Sequence, residues 1–173
     1  MIYRLATRAD AATVDRIQCA CGAEITERLG PGHWATKSNM AGVRERMKTR
    51  SIYLVFDDAG EAIATFTVGK KTPRFWPRTL WRVPDAEALG VFGLAVLPSH
   101  QRRGIGTWIM HAIEDLARDQ GCRFVRLDAY EANPRSVAFY RKLGYDERGR
   151  VVVYGTPILC FEQEVAPTQI AEM

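Results

Sequence analysis

Two stretches of the chain alternate apolar and polar residues with a period of two, Ser51 to Asp57 and Ala62 to Val68, and both are rich in β-branched and aromatic side chains. With the turn-forming Asp58-Ala-Gly-Glu61 between them, they predict a hairpin. Gly90 to Leu97 is apolar at almost every position, which predicts a strand buried on both faces, and Pro98 ends it. From Gly104 to Gln120 the period changes. Ile105, Trp108, Ile109, Ala112, Ile113, Leu116 and Ala117 lie at offsets of 3, 4, 7, 8, 11 and 12 from the first, the stripe of an amphipathic helix. Gly121 stops that helix and Phe124 to Ala129 reads as the next strand, so a parallel strand pair with a right-handed crossover is expected.

Shorter helices are predicted over Asp10 to Ile17, Met40 to Lys48 and Pro134 to Leu143. Their caps are Asp10 for the first, Ser38 or Asn39 for the second and Asn133 for the third, where Pro134 takes the first helical position and Gly144 ends the element. Leu29 to Trp34 is a loop. Val151 to Tyr154 and Ile158 to Val165 read as two closing antiparallel strands, and the last eight residues as a frayed tail, giving one domain over 1–165 and a tail over 166–173. Prolines at 73, 77 and 84 prevent Gly69 to Gly90 from forming a regular central strand.

Composition narrows the class further. The 173 residues are 47% hydrophobic and 25% charged, the balance of an average globular domain, which excludes collagen-like and disordered chains. No apolar run approaches a membrane span and the first ten residues lack a secretory pattern, so a cytoplasmic protein without a membrane partner is expected. Cys19, Cys21, Cys122 and Cys160 form no metal-ligand spacing with His33, His100 and His111, so free buried thiols are expected and no metal. The net charge of +4 is ordinary for a solvated surface.

Candidate chemistry concentrates in Val96 to Gly106, where an apolar strand leads through a short polar loop into a helix whose start carries Gly104 and Gly106. Glycines let a ligand approach the main chain, and the free N–H groups and dipole of a first helical turn favour negative charge, so this geometry binds phosphate. Arg102 and Arg103 add positive charge. A glycine pair opening a helix equally makes a plain tight turn. Two known phosphate loops do not fit: no lysine follows Gly104 as the Walker pattern requires, and the third glycine of a dinucleotide fold is missing.

The pattern that does fit is Q-x-x-G-x-G. Gln101-Arg-Arg-Gly-Ile-Gly106, preceded by Leu94-Ala-Val-Leu-Pro98, resembles the pyrophosphate loop of the GNAT superfamily, the acetyl-CoA-dependent N-acetyltransferases. Asn133-Pro-Arg-Ser-Val-Ala-Phe-Tyr-Arg-Lys-Leu-Gly-Tyr145 resembles that family's later N-x-x-[SA]-x-x-F-Y-x-x-x-G-[FY] helix. Tyr3 to Asp10 is similar to its first strand and helix start, and Gly69 to Gly90 is the least similar part. The resemblance implies an α/β fold with a mixed, mostly antiparallel sheet and helices on both faces.

It also implies site roles. Leu94, Ala95 and Val96 would bind the pantetheine arm of acetyl-CoA through their main chain, and Gln101, Arg102, Arg103, Gly104, Ile105, Gly106 and Thr107 would hold its pyrophosphate. Asn133 and Tyr140 would lie at the thioester end, where the Tyr140 phenol, pKa near ~10 against ~8.5 for a thiol, would hydrogen-bond or protonate the leaving thiolate. Helical spacing with Val137 and Leu143 also suits a core aromatic at Tyr140. The acceptor is a primary amine on a small molecule or peptide, which must lose a proton from a state with pKa near ~10.4.

Many members carry a glutamate on the strand before the loop, where this chain has Phe92, and no acid lies in Gly90 to Val96. The base then falls to Glu131 or Asp128, to Glu24 or Glu27, or to a water chain, and Asp128 reads equally as a strand-end carboxylate. Alternatives are acetylation of a protein N-terminus or lysine, and a silent acyl-CoA sensor. Lys70, Lys71, Arg74, Arg78 and Arg82, interleaved with Phe75, Trp76 and Trp81, make a substrate lip, a homodimer contact or plain surface; nucleic acid is not the expected partner.

Overall fold

A computed structural model describes residues 1–35 and 38–165; the expected tail at 166–173 lies outside them. The strands are β1 (Ile2–Leu5), β2 (Ser51–Phe56), β3 (Ala62–Gly69), β4 (Ala88–Val96), β5 (Phe124–Tyr130), β6 (Asp146–Val153) and β7 (Thr156–Glu164). The α-helices are α1 (Ala11–Leu29), α2 (Met40–Arg46), α3 (Ile105–Asp119) and α4 (Pro134–Lys142). Sheet order is β1-β2-β3-β4-β5-β7-β6, with β4 parallel to β5 and antiparallel pairing in β1–β2, β2–β3, β5–β7 and β6–β7. This is the mixed, mostly antiparallel sheet expected. The chain forms two compact units, Met1–Gly69 with Phe92–Trp108, and Lys70–Val91 with the chain from Ile109 onward.

In the first unit Ile52 and Leu54 of β2 pack with Val14, Ile17 and Cys21 of α1, Val43 of α2, and Leu97. The predicted hairpin forms, and the Asp57 carboxylate accepts the N–H groups of Ala59 and Glu61 at 3.0 and 2.9 Å to close its turn. Helix α1 runs twelve residues past the predicted Ile17, to Leu29. Its buried stripe of Ala11, Val14, Ile17 and Cys21 ends at Cys21, so hydropathy gives no sign of the last two turns. Those turns instead meet the following loop, where a Cβ on Gly22 would lie 2.7 Å from the Trp34 carbonyl oxygen. Trp34 Nε1 donates to the Gly30 carbonyl at 3.0 Å.

Two caps differ from expectation. Asp10 occupies the cap position of α1, but its carboxylate accepts from Arg4 at 2.8 and 2.9 Å and from the Thr7 N–H at 2.7 Å, closing the turn before the helix. For α2 the cap is Asn39, whose Oδ1 accepts the Gly42 N–H at 2.8 Å, while the Ser38 hydroxyl donates to Gln18. A third difference lies in β4. Leu89 to Val91 are buried as predicted, but Phe92, Leu94 and Ala95 are only half-buried and Gly93 is exposed. An apolar run carries no record of what covers it.

In the second unit β6 begins at Asp146, five residues before the predicted Val151, since a polar edge strand pairs through its main chain and shows no alternation. The proline-containing segment 70–91 buries Trp76 and Trp81 edge to face, with centroids 5.3 Å apart. Arg126 and Glu162, both buried, pin that segment: Arg126 Nε donates to Glu162 at 2.8 Å, Arg126 also donates to the Val83 carbonyl at 2.7 Å, and the Arg82 N–H donates to Glu162 at 3.0 Å. The guanidinium lies 4.9 Å from the Trp81 ring centroid. Removing one charge from a buried pair strands the other, so Glu162→Gln is expected to lower stability by about 3–5 kcal/mol, read as a fall in the urea midpoint.

Candidate active site

At the C-terminal end of β4 the chain turns through Pro98–His100 into the predicted loop. Leu97 N–H donates to the Ile63 carbonyl at 2.9 Å and His100 N–H to the Leu97 carbonyl at 2.8 Å, which anchors the turn on β3. Arg102 has φ of +62° and Gly104 of +78°, so the backbone passes twice through the left-handed region before α3 starts. A Cβ on Gly104 would meet no atom within 4 Å. The first helical bond runs from Trp108 N–H to the Gly104 carbonyl at 3.0 Å, which leaves the N–H groups of Ile105, Gly106 and Thr107 without helical acceptors. Arg102 and Arg103 are exposed beside them. The site predicted for phosphate therefore has free donors, a dipole of the right sign and local positive charge.

Two predicted contacts are occupied within the protein. Gln101 Nε2 donates to the Val96 carbonyl at 3.0 Å, and the buried Cys21 thiol donates to the same oxygen at 3.0 Å. In this conformation the Gln101 side chain braces the loop, and the Val96 carbonyl is engaged by α1 and the loop together. The Cys21 contact was not visible in sequence, since 75 positions separate Cys21 from Val96.

In the second unit, α4 starts at Asn133. Asn133 holds the cap position, but its side chain makes no capping bond: Nδ2 donates to Ser136 at 2.8 Å and the buried Oδ1 has no hydrogen-bond partner among the described residues. A buried acceptor left open costs about 1–3 kcal/mol. Tyr140, two helical turns further on, is buried against Phe139, Tyr145 and Phe161 at 5.1, 6.0 and 5.8 Å between ring centroids. Burial chiefly, and then the Asp128 charge, push its phenol well above the usual range, so it stays protonated. Asp128 is half-buried on β5 opposite Cys160 of β7 and accepts Trp76 Nε1–H at 2.7 Å. Glu131 is exposed, with both carboxylate oxygens 3.1 Å from Arg150 Nε.

The profile of the acetyltransferase (GNAT) family matches residues 23–145. The chain belongs to that family. Among curated proteins it is similar to the aminoglycoside N(6')-acetyltransferase type 1 of Salmonella typhimurium, 32% identical over 62 residues that make up 36% of this chain and 43% of that protein. The same-named protein of Acinetobacter haemolyticus is 35% identical over 66 residues, 38% of this chain and 46% of that one. The matched part thus spans less than half the length of these curated relatives. Among solved structures, a GNAT acetyltransferase of Listeria monocytogenes superimposes with a TM-score of 0.74 at 17% identity, covering 94% of each chain. The ribosomal-protein-S18-alanine N-acetyltransferase of Escherichia coli gives 0.69 at 13% identity, covering 99% of this chain and 98% of that one. At these identities the structural likeness establishes the fold.

Within this GNAT chain the strand position expected to carry a glutamate is Phe92, half-buried with the Arg50 guanidinium 3.6 Å from its ring centroid. Of the other acids considered, Glu24 pairs with Arg28 at 3.1 Å and Glu27 is exposed on α1. The basic segment is largely spent internally. Lys70 donates to the Gln120 carbonyl at 2.9 Å, Arg78 pairs with Asp85, and Arg82 pairs with Asp146. Of the four cysteines, Cys21, Cys122 and Cys160 are buried thiols as expected, whereas Cys19 is half-buried, with its thiol in reach of either the Asp15 carboxylate or the Ser38 carbonyl as acceptor.

Proposed function

We propose that the protein is an N-acetyltransferase that moves an acetyl group from acetyl-CoA to a primary amine of a small molecule or peptide, by direct attack while both are bound. The observation that carries this reading is the loop from Gln101 to Thr107, with its left-handed Gly104, open donors and two exposed arginines at the start of α3. Main-chain donors of Arg102 to Thr107 would hold the pyrophosphate; in the second unit, the Asn133 Oδ1 is a buried acceptor suited to an amide N–H. When bound, acetyl-CoA supplies the thioester that the amine attacks.

The protein's own groups then carry the protons. Tyr140, kept protonated by burial, would donate a hydrogen bond to the departing thiolate. For the amine's proton we favour Asp128 over Glu131: Asp128 is half-buried and its charge reaches Tyr140, whereas Glu131 is an exposed carboxylate held by Arg150. The aminoglycoside acetyltransferases among the relatives support a small-molecule amine, and the S18-alanine acetyltransferase fold keeps a protein N-terminus as the second reading. The setting we propose is the cytoplasm; among the described residues no helix is long and apolar enough to cross a membrane.

The test is a panel of aminoglycosides, polyamines, amino acids and peptides with acetyl-CoA, followed by release of free thiol. Thiol release well above the background hydrolysis rate is expected with one acceptor class. Tight acetyl-CoA binding without turnover on any amine or peptide would leave a sensor, the outcome that Phe92 in place of a glutamate favours.

A further inference from the structure

The phosphate loop leaves β4 at the peptide between Val96 and Leu97, and within the first unit three elements tie that peptide down. Its N–H, on Leu97, donates to the Ile63 carbonyl of β3 at 2.9 Å. Its carbonyl, on Val96, accepts Gln101 Nε2–H from the loop and the Cys21 thiol from α1, each at 3.0 Å. A carbonyl oxygen has two lone pairs, so these two donors fill its capacity. Cys21 is 8% exposed, and its side chain shares a core cluster with Leu97, Ile52 and Leu54. Burial chiefly, and then the Glu24 charge, push the thiol up to about 12, so it keeps the proton it donates.

We propose that Cys21 is a positioning residue for the cofactor loop: its thiol, donating from α1, fixes the Val96–Leu97 peptide plane from which the loop sets out and so keeps the loop's main-chain donors aimed at a pyrophosphate. The inference rests on the reading of that loop as the pyrophosphate site. A thiol is a weak donor in water, but this one acts in a buried setting, where a hydrogen bond is electrostatically stronger. Its effect is carried down the chain by the bonds that follow. His100 N–H donates to the Leu97 carbonyl at 2.8 Å, and the left-handed turns at Arg102 and Gly104 then lead to the open N–H groups of Ile105, Gly106 and Thr107. A rotation of the first peptide tilts everything that follows it, and hydrogen bonds to phosphate weaken steeply as their donors turn away. Helix α1 thus acts on cofactor binding through the main chain at the end of β4.

The test compares acetyl-CoA with acetyl-pantetheine, which has the same thioester and arm but no pyrophosphate, by titration of the unaltered protein, Cys21→Ala and Cys21→Ser. In Cys21→Ala, acetyl-CoA affinity is expected to fall about 3-fold to 10-fold, the equivalent of one net hydrogen bond, while acetyl-pantetheine affinity holds within about 2-fold. Cys21→Ser keeps a donor and should return acetyl-CoA affinity to within about 2-fold of the unaltered protein. Hydrogen exchange of the Leu97 amide should quicken by a similar factor in Cys21→Ala and recover in Cys21→Ser, with no ligand present. Absence of acetyl-CoA binding to the unaltered protein would overturn the reading of the loop and this inference together. Binding that Cys21→Ala leaves unchanged, that falls equally for both ligands, or that Cys21→Ser does not rescue would overturn the positioning role alone. Should Cys21→Ala not fold, Cys21→Val, close in volume and without a donor, decides by the same comparison. If Cys21→Ser alone folds, the thiol's role is structural and the inference falls.

Discussion

Replacing Tyr140 with Phe is expected to lower kcat by about 10²–10⁴, the span of a positioned acid or base, with little change in the KM for acetyl-CoA. The substitution keeps the ring and its contacts with Phe139, Tyr145 and Phe161, so the fold should survive and only the hydroxyl is lost. The sign of the pH effect follows from the direction of the shift. Burial and the Asp128 charge raise the phenol's pKa in the folded protein, so the proton needed by the leaving thiolate is present throughout the neutral range. The Phe variant should therefore lose activity at every pH below that raised value, without moving the acid limb. Steady-state kinetics with a thermal midpoint as control test this. Unchanged kcat, with chemistry shown to be rate-limiting, would make Tyr140 a core aromatic.

Gly104→Val should weaken acetyl-CoA binding by about 10²-fold, measured by calorimetry. Two effects point the same way. At φ of +78° a β-branched residue is strained, so the loop leaves its left-handed geometry and its donors turn away. Where the loop does hold its shape, the new side chain fills the open space beside the donors. Losing two hydrogen bonds to a charged phosphate, each worth about 1.5 kcal/mol at the low end, corresponds to that factor. Undiminished affinity in a folded variant would show that the pyrophosphate binds elsewhere.

The sequence by itself determined the elements whose burial is periodic and whose ends are chemically marked. The hairpin of β2 and β3, the helix α3 between Gly104 and Gly121, and α4 behind Asn133-Pro134 were all legible, because apolar spacing and turn residues act locally. The two family-like motifs were legible for the same reason, since a phosphate loop and a helix start are built from consecutive residues. What escaped is what local spacing does not encode. The last turns of α1 meet Trp34 at Gly22 and carry no apolar stripe; β6 is a polar edge strand; β4 is apolar from Phe92 to Ala95 but only partly covered there.

The tertiary structure alone decided which polar groups meet. Gln101 and Cys21 converge on the Val96 carbonyl, Arg126 and Glu162 pin the proline-containing segment, and Trp76 reaches Asp128 across 52 positions. Such pairs form because buried donors and acceptors must be satisfied by whatever the packed chain brings within 3 Å. That demand is met in space, and it leaves no spacing in the sequence to read.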